Sequence, residues 1–319
     1  MVNVAVAGGT GGVGRTIVEV LSRSLHQAFV FSRKPLDGGI SNNQNITTVT
    51  VDYTKVDSLV RILEIYKIHT VICTFSVSGD SLSRSQANLI EAAKLSKETK
   101  RFVPSSFAIQ YPREAVKDLP QLRDYFAAIE TLRQSNLEFT VFHNGIFLDY
   151  FISPKTTLKS YLRPNVFVID IANKIAAIPG DGNAPVTLTY SFDLARFVVQ
   201  SLDLKDGKWH EESRVVGDEI SWNEFVGLAE EMLGCKFKVH YDPIEKLKNS
   251  EITELPGHRV LYNRFPKESF RWFMSIFELF TVDGGSRLEK QGSLNERFPE
   301  IIPFTVRDAL RGWKDEVSR

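Results

Sequence analysis

Cysteine is almost missing from this chain of 319 residues. Cys73 and Cys235 are the only two, far apart and outside any C-x-x-C pair, which argues against a disulfide framework and against a thiolate metal site. The six histidines form no cluster at metal-ligand spacing, so no metal is expected. Neither charge is in excess, because 39 Lys and Arg balance 39 Asp and Glu. The bulk positive charge of a nucleic-acid binder is lacking, and no nucleic-acid partner is expected. Long apolar runs are lacking as well. The opening run, residues 2–7, is too short for a membrane span or a signal h-region, and no basic segment leads into it. A cytoplasmic protein without a membrane partner is the expectation. No repeat, linker or low-complexity tract interrupts the chain.

What is present is an ordinary globular composition, 43% hydrophobic and 24% charged, enough for a sizeable core. The length suggests about two domains. The most informative stretch is Met1 to Arg15, M-V-N-V-A-V-A-G-G-T-G-G-V-G-R, in which an apolar run passes directly into a glycine cluster and then an amphipathic segment. The order predicts a strand, a phosphate-binding turn and a helix over residues 12–24. Two spacings fit the glycines: G-x-G-x-x-G through Gly9, Gly11 and Gly14, or G-x-x-G-x-x-G through Gly8, Gly11 and Gly14. In either case one glycine turns the chain and one admits a pyrophosphate close to the backbone. The last lets helix and strand pack closely. Gly8, Gly9, Thr10, Gly11, Gly12, Val13 and Gly14 are therefore candidate cofactor-binding residues, with the helix dipole aimed at the phosphates.

Strand and helix signals alternate from there. Strands are predicted at residues 28–32, 47–52, 69–76, 101–103 and 138–143, and helices at 56–66, 81–95 and 120–135. This β-α-β order predicts an α/β fold with a doubly wound parallel Rossmann sheet and its ligand at the carboxyl ends of the strands. Beyond residue 151 the alternation fails. We expect residues 1–150 to form the nucleotide-binding domain and 151–319 a smaller, interlocking carboxy-terminal substrate lobe, with segments near 186–216 returning to the core. Ser221-Trp222-Asn223-Glu224 is a capping box that opens a helix to residue 233, and residues 236–239 alternate like an edge strand. Residues 265–280 hold Phe265, Phe270, Trp272, Phe273, Phe277 and Phe280. The stripe is either core or the wall of a pocket for a bulky apolar substrate, with Phe270 and Phe273 the candidate contacts.

The end of the second strand discriminates NAD from NADP. An acidic residue there would bond the ribose hydroxyls, whereas this chain has Ser32-Arg33-Lys34-Pro35. NADP(H) is the expected cofactor, with Arg33 on the 2′-phosphate and Ser32 or Lys34 assisting. Asp52 either meets the adenine or caps the next helix. At the carboxyl ends of the later strands lie Ser105, Gln110, Tyr111, His143, Asn144, Phe147 and Tyr150. His143 could move protons near neutral pH or be a hydrogen-bonded wall residue. Ser105, Gln110 and Tyr111 could equally be turn residues.

Taken with Arg101-Phe102-Val103-Pro104-Ser105-Ser106-Phe107, Phe139-Thr140-Val141-Phe142 and Phe192-Asp193-Leu194-Ala195-Arg196, these motifs resemble the NmrA-like, isoflavone-reductase-like branch of the atypical short-chain dehydrogenases. The resemblance covers most of the first 200 residues. It implies an NADP-binding Rossmann core, a small-molecule substrate and, in fungal members, secondary metabolism or redox-sensing regulation. It places Thr74, Phe75 and Ser76 along the adenosine half of the cofactor and Pro104, Ser105, Ser106 and Phe107 beside the nicotinamide. The family's F-x-P-S-E-F pattern has Glu where this chain has Ser106. By the same resemblance the catalytic lysine of the reductases falls on Tyr125. No Tyr-x-x-x-Lys pair replaces it, since Ile129 follows Tyr125 and Ala115 follows Tyr111 at that spacing. A reduced carbonyl needs an acid for its developing oxyanion. Tyr125 is the candidate donor, though sluggish unless a neighbouring cation lowers its pKa, and pocket packing is its other reading.

Three functions follow. The first is an NADP(H)-dependent oxidoreductase of secondary metabolism acting on a bulky apolar, alkaloid-like substrate, an imine, iminium or enone; an iminium would tolerate the missing lysine. The second is a cofactor-bound but redox-neutral cyclase or isomerase. The third is a non-enzymatic redox-sensing regulator. A homodimer is compatible with each.

Overall fold

The computed structural model describes residues 1–35, 44–76 and 79–317. Its first half alternates β1 (Asn3–Ala7), α1 (Gly12–Leu21), β2 (Gln27–Ser32), β3 (Ile46–Thr50), α2 (Val56–Ile65), β4 (Thr70–Cys73), α3 (Ala87–Leu95), β5 (Arg101–Val103), α4 (Leu122–Arg133) and β6 (Glu138–Phe139). These six strands form one parallel sheet in the order β3-β2-β1-β4-β5-β6. Side-chain alternation decides the layers. Val4, Val6, Ala28 and Val30 face Ile17, Val18 and Leu21 of α1; Ala5, Ala7, Phe29 and Phe31 face the side where Leu59 and Leu63 of α2 and Leu89 of α3 pack. Both faces are covered, so the strands read as continuous apolar runs, and each fully buried aliphatic side chain contributes about 1.5–3 kcal/mol.

The expected sixth strand at 138–143 is broken at Thr140. Its second part, β7 (Val141–His143), turns to a different neighbour. The chain continues through β8 (Ile146–Phe147), β9 (Ile169–Asp170), β10 (Ile175–Pro179), β11 (Pro185–Thr189), α5 (Ser191–Ser201), β12 (Glu212–Arg214), β13 (Asp218–Ser221), α6 (Trp222–Leu233) and β14 (Lys238–Asp242). Helices α7 (Ile244–Lys248), α8 (His258–Leu261), α9 (Lys267–Val282), α10 (Leu294–Arg297) and α11 (Val306–Val317) complete it. Strand β12 lies parallel to β7, and Leu194, Phe197 and Val198 of α5 pack in the same core as α1. Arg101 of β5 binds the chain after α5 to the sheet: its guanidinium bonds Glu138 (2.6 Å) and the Leu204 carbonyl (2.7 Å) and lies over the Trp209 ring.

A second core, built on Ile178, Val186, Leu188, Trp222 and Phe225, belongs to the carboxy-terminal elements. Ser221 and Glu224 form the capping box of α6, with the Glu224 amide donating to Ser221 Oγ (3.2 Å) and the Ser221 amide to Glu224 Oε2 (2.8 Å). Strand β10 was hidden in a stretch of mixed polarity, because it exists through pairing with β14 more than fifty residues later. Among the described residues no helix is long and apolar enough to cross a membrane.

Candidate functional site

Strand order reverses between β1 and β4, so their carboxyl ends flank a crevice, the usual ligand position in an open α/β sheet. Gly8 leaves β1 with φ +83°, and a Cβ there would lie 2.8 Å from Thr74 Oγ1 and 2.9 Å from the Thr74 carbonyl. A Cβ on Gly14 would lie 2.4 Å from the Gly8 carbonyl oxygen. The Gly11 amide donates to that same oxygen (2.9 Å). The turn is thus built on Gly8, Gly11 and Gly14; Gly9 is buried against Val30 and Val18 without a left-handed backbone. Thr10 and Gly11 are exposed, and Gly12 and Val13 are half-buried at the start of α1. The Gly11 N-cap supplies no side chain, and the first turn of α1 holds no acid. The leading amides and the positive dipole end are left for an anion.

Around the crevice, Thr74 Oγ1 donates to the Ala7 carbonyl (2.9 Å), and Phe75 meets the buried Tyr53 ring edge to face at 4.9 Å. Ser76 is exposed beyond them. Ser32 closes β2 half-buried; Arg33 and Lys34 follow it, exposed and without an acidic partner among the described residues. Asp52 is otherwise occupied. Its Oδ1 accepts from Thr54 Oγ1 (2.6 Å) and the Thr54 amide (2.9 Å), bonds that hold its pKa below the ordinary value and close the turn before α2. The bonds are those of a turn and not of a helix cap, since the N-cap of α2 is Lys55, which makes no side-chain cap bond.

Ser105 was a catalytic candidate, and the structure turns it inward. The residue is 4% exposed, its hydroxyl donates to the Phe75 carbonyl (2.7 Å), and its amide donates to Gln86 Oε1 (2.7 Å). A hydroxyl already donating beneath the crevice braces the loop. Pro104 is buried beside it, and Ser106 Oγ donates to the Phe142 carbonyl (2.6 Å). Phe107 stacks on Phe142 with centroids 6.0 Å apart and holds φ +49°, a strained value for an aromatic residue.

Gln86 escaped the sequence reading. It ends a π-helical turn, Leu82–Gln86, that precedes α3, is fully buried, and leaves Nε2 without a partner among the described residues. One-turn π segments gather at functional sites, but one inserted residue leaves no mark on propensity. Among the described residues Asn144 Oδ1 likewise lacks a partner, and the ring nitrogens of His143 make no well-formed hydrogen bond, the Ile109 backbone being their nearest polar influence. His143 departs from the acid–base expectation. It is 2% exposed, and burial pushes its pKa down to about 4 against a weak opposing pull from the Ile109 backbone, so the ring is neutral at neutral pH.

Among the described residues no cation acts on Tyr125. The phenol is 3% exposed, and burial followed by the charge of Glu212 holds its pKa above the ordinary tyrosine value. Its ring instead joins an aromatic wall. Tyr111 packs edge to face on Tyr125 (5.8 Å), Phe277 (6.3 Å) and Phe280 (6.1 Å). Gln110 is exposed and donates to Glu212 Oε2 (2.8 Å). Phe147 is buried against Tyr150 (6.2 Å), whose phenol is also raised by burial. Helix α9 divides the predicted stripe among its faces. Phe270 is packed against His258 and Tyr262 in the second core and does not reach this wall. Phe273, 37% exposed, touches Phe277 from the rim. The sequence pointed to Phe270 and Phe273, whereas Phe277 and Phe280 are the α9 rings that meet Tyr111.

Comparison with known proteins agrees with this architecture. Residues 2–297 match the NmrA-like family. Oxidoreductase BOA1 of Botryotinia fuckeliana is 36% identical over 95% of this chain and 96% of its own. Oxidoreductase swnN of Metarhizium robertsii is 31% identical over 100% and 99%. Among solved structures, the binary complex of leucoanthocyanidin reductase with NADPH from Vitis vinifera superposes with a TM-score of 0.74 over 99% of this chain and 100% of that one, at 16% identity, a likeness of fold. The chain belongs to the NmrA-like family.

Proposed function

We propose that this protein is an NADP(H)-dependent oxidoreductase acting on a bulky, largely apolar small molecule, with residues 1–150 supplying most of the cofactor site and the later lobe much of the substrate wall. One observation carries the reading: the uncapped, acid-free start of α1 at the Gly8–Gly11–Gly14 turn, with Arg33 and Lys34 at the end of the neighbouring strand and without an acidic partner among the described residues. Backbone amides and helix dipole suit a pyrophosphate, and the two cations suit a 2′-phosphate. The orphaned Gln86 Nε2 and Asn144 Oδ1 suit a polar ring substituent at the other end. The fungal relatives named oxidoreductases and the NADPH complex of the Vitis reductase support the same reading.

When bound, NADPH supplies a hydride from C4 of its nicotinamide. The chain's part is to hold the substrate against Tyr111, Tyr125 and Phe280 and to exclude water there. Tyr125 stays protonated through the physiological range and offers the substrate a neutral phenol. That is weak assistance for a carbonyl oxyanion. An iminium asks less: hydride addition at its carbon moves the C=N electron pair to nitrogen and leaves a neutral amine, so no proton is needed from the protein. The raised phenol of Tyr125 also favours a second reading, a redox-neutral rearrangement in the same pocket.

Calorimetric titration with NADPH, NADP+, NADH and NAD+ tests the proposal. Tight, 2′-phosphate-dependent binding is expected, followed by substrate-dependent loss of NADPH absorbance. A preference for oxidised forms that ignores the 2′-phosphate would indicate a redox sensor, and product without net NADPH consumption the redox-neutral reading.

A further inference from the structure

Two neighbouring exposed carboxylates where β12 begins have different surroundings. Glu211 is held by Arg133 at 2.9 Å. Glu212 has no cationic partner among the described residues; Gln110 Nε2 (2.8 Å) is the side chain that bonds it. Arg214, next on the same side of β12, turns its guanidinium to the Gln291 carbonyl (2.8 Å). The pairing of Glu212 with Val141 sets its carboxylate on the side of the sheet where α4 packs, within electrostatic reach of Tyr125. A negative charge without a cationic partner among the described residues therefore lies within electrostatic reach of Tyr125, and Tyr125 is joined through Tyr111 to Phe277 and Phe280, rings whose quadrupoles favour the same sign of ligand.

We propose that Glu212 is a specificity-determining residue that selects substrates carrying an organic cation, a protonated amine or an iminium, seated against these rings. The inference rests on the oxidoreductase site proposed above and names its substrate class. Glu212 and the aromatic faces attract the cation before reduction. The same carboxylate repels a developing oxyanion, which separates iminium substrates from ketones of equal size.

The test uses two probes of similar shape, N-methylquinolinium and the neutral 1-methyl-2-quinolone, titrated by calorimetry into NADP+-saturated protein at low and high salt. The cation is expected to bind about tenfold tighter at low salt, as for one partly screened charge pair, with the ratio shrinking at high salt. Glu212→Gln keeps a partner for Gln110 and should bring the ratio to about one, with NADP+ affinity and melting temperature unchanged; Glu212→Lys should reverse the preference. Equal affinities in the parent, binding of neither probe, or a ratio that survives Glu212→Gln would overturn the proposal. Failure of NADP+ to bind would overturn the oxidoreductase reading instead, and the probe ratio would then be read on the cofactor-free protein.

Discussion

Replacing Gly11 by alanine separates the fold of the glycine turn from its proposed work. Gly11 has φ −79° and ψ 174°, an extended conformation open to any L-residue. Its added Cβ would meet one atom, the Gly8 carbonyl oxygen at 3.3 Å. The poorer N-cap and the stiffer unfolded chain are opposing effects of about 1 kcal/mol or less each, so the melting temperature should hardly move. The methyl nevertheless stands in otherwise open space at the start of α1. If it keeps a pyrophosphate from one charge-assisted hydrogen bond, about 1.5–3 kcal/mol is lost, or about 10- to 100-fold in NADPH affinity. Gly14→Ala is the contrasting control. Its Cβ would sit 2.4 Å from the Gly8 carbonyl and 2.5 Å from Thr74 Oγ1, so the turn must open at a cost of about 1–3 kcal/mol, and stability should fall together with binding. Calorimetric titration and thermal melts on both variants give the four values needed. A Gly11→Ala protein that binds NADPH as tightly as the parent would refute the assignment of this turn to the pyrophosphate.

Arg33→Asp should weaken NADPH by far more than NADH in the same titration, and equal losses would remove Arg33 from the 2′-phosphate. Tyr125→Phe should change kcat/KM by only a few-fold and leave the pH–rate profile unmoved between about pH 6 and 9, because the parent phenol stays protonated there; an alkaline limb that vanishes in the variant would restore Tyr125 as a titrating acid. Glu278 of α9 is fully buried with Oε2 unpartnered, and burial, then the Asp242 charge, raises its pKa well above the ordinary carboxyl value. The folded protein thus keeps a proton that the unfolded chain releases above about pH 4.3, so stability falls as pH rises from there towards the folded pKa. Glu278→Gln should flatten that decline in melting temperature across about pH 5–8, and an unchanged slope would mean that Glu278 does not hold the proton.

The parts of the molecule that could be read from sequence are those whose causes are local. Residues 2–14 announce a buried strand and a turn because apolar run, glycines and helix follow one another without a gap. Even there, the choice between Gly8 and Gly9 as the turning residue depended on φ +83° at Gly8 and on Thr74 closing over it from another strand. The capping box of Ser221 and Glu224 is equally local. By contrast, β10 needs β14, and the break at Thr140 needs β12, so neither has a signature in its own residues.

The candidate site is less legible than the fold for the same reason. Tyr125 could be picked out as the residue standing where a lysine was expected, yet its electrostatic neighbour, Glu212, comes from a strand far along the chain, and the sign of the effect is the reverse of the cation that an active phenol would need. Aromatic spacing in residues 265–280 marked a helix, but which rings meet Tyr111 depends on the rotation of α9 about its own axis, which buries Phe270 on one side and presents Phe277 and Phe280 on another. A pocket assembled from a strand edge, a loop and a late helix is a property of their docking. Its chemistry, here a carboxylate within electrostatic reach of a tyrosine that stands where the family resemblance puts a lysine, is set by residues that sequence proximity never brings together.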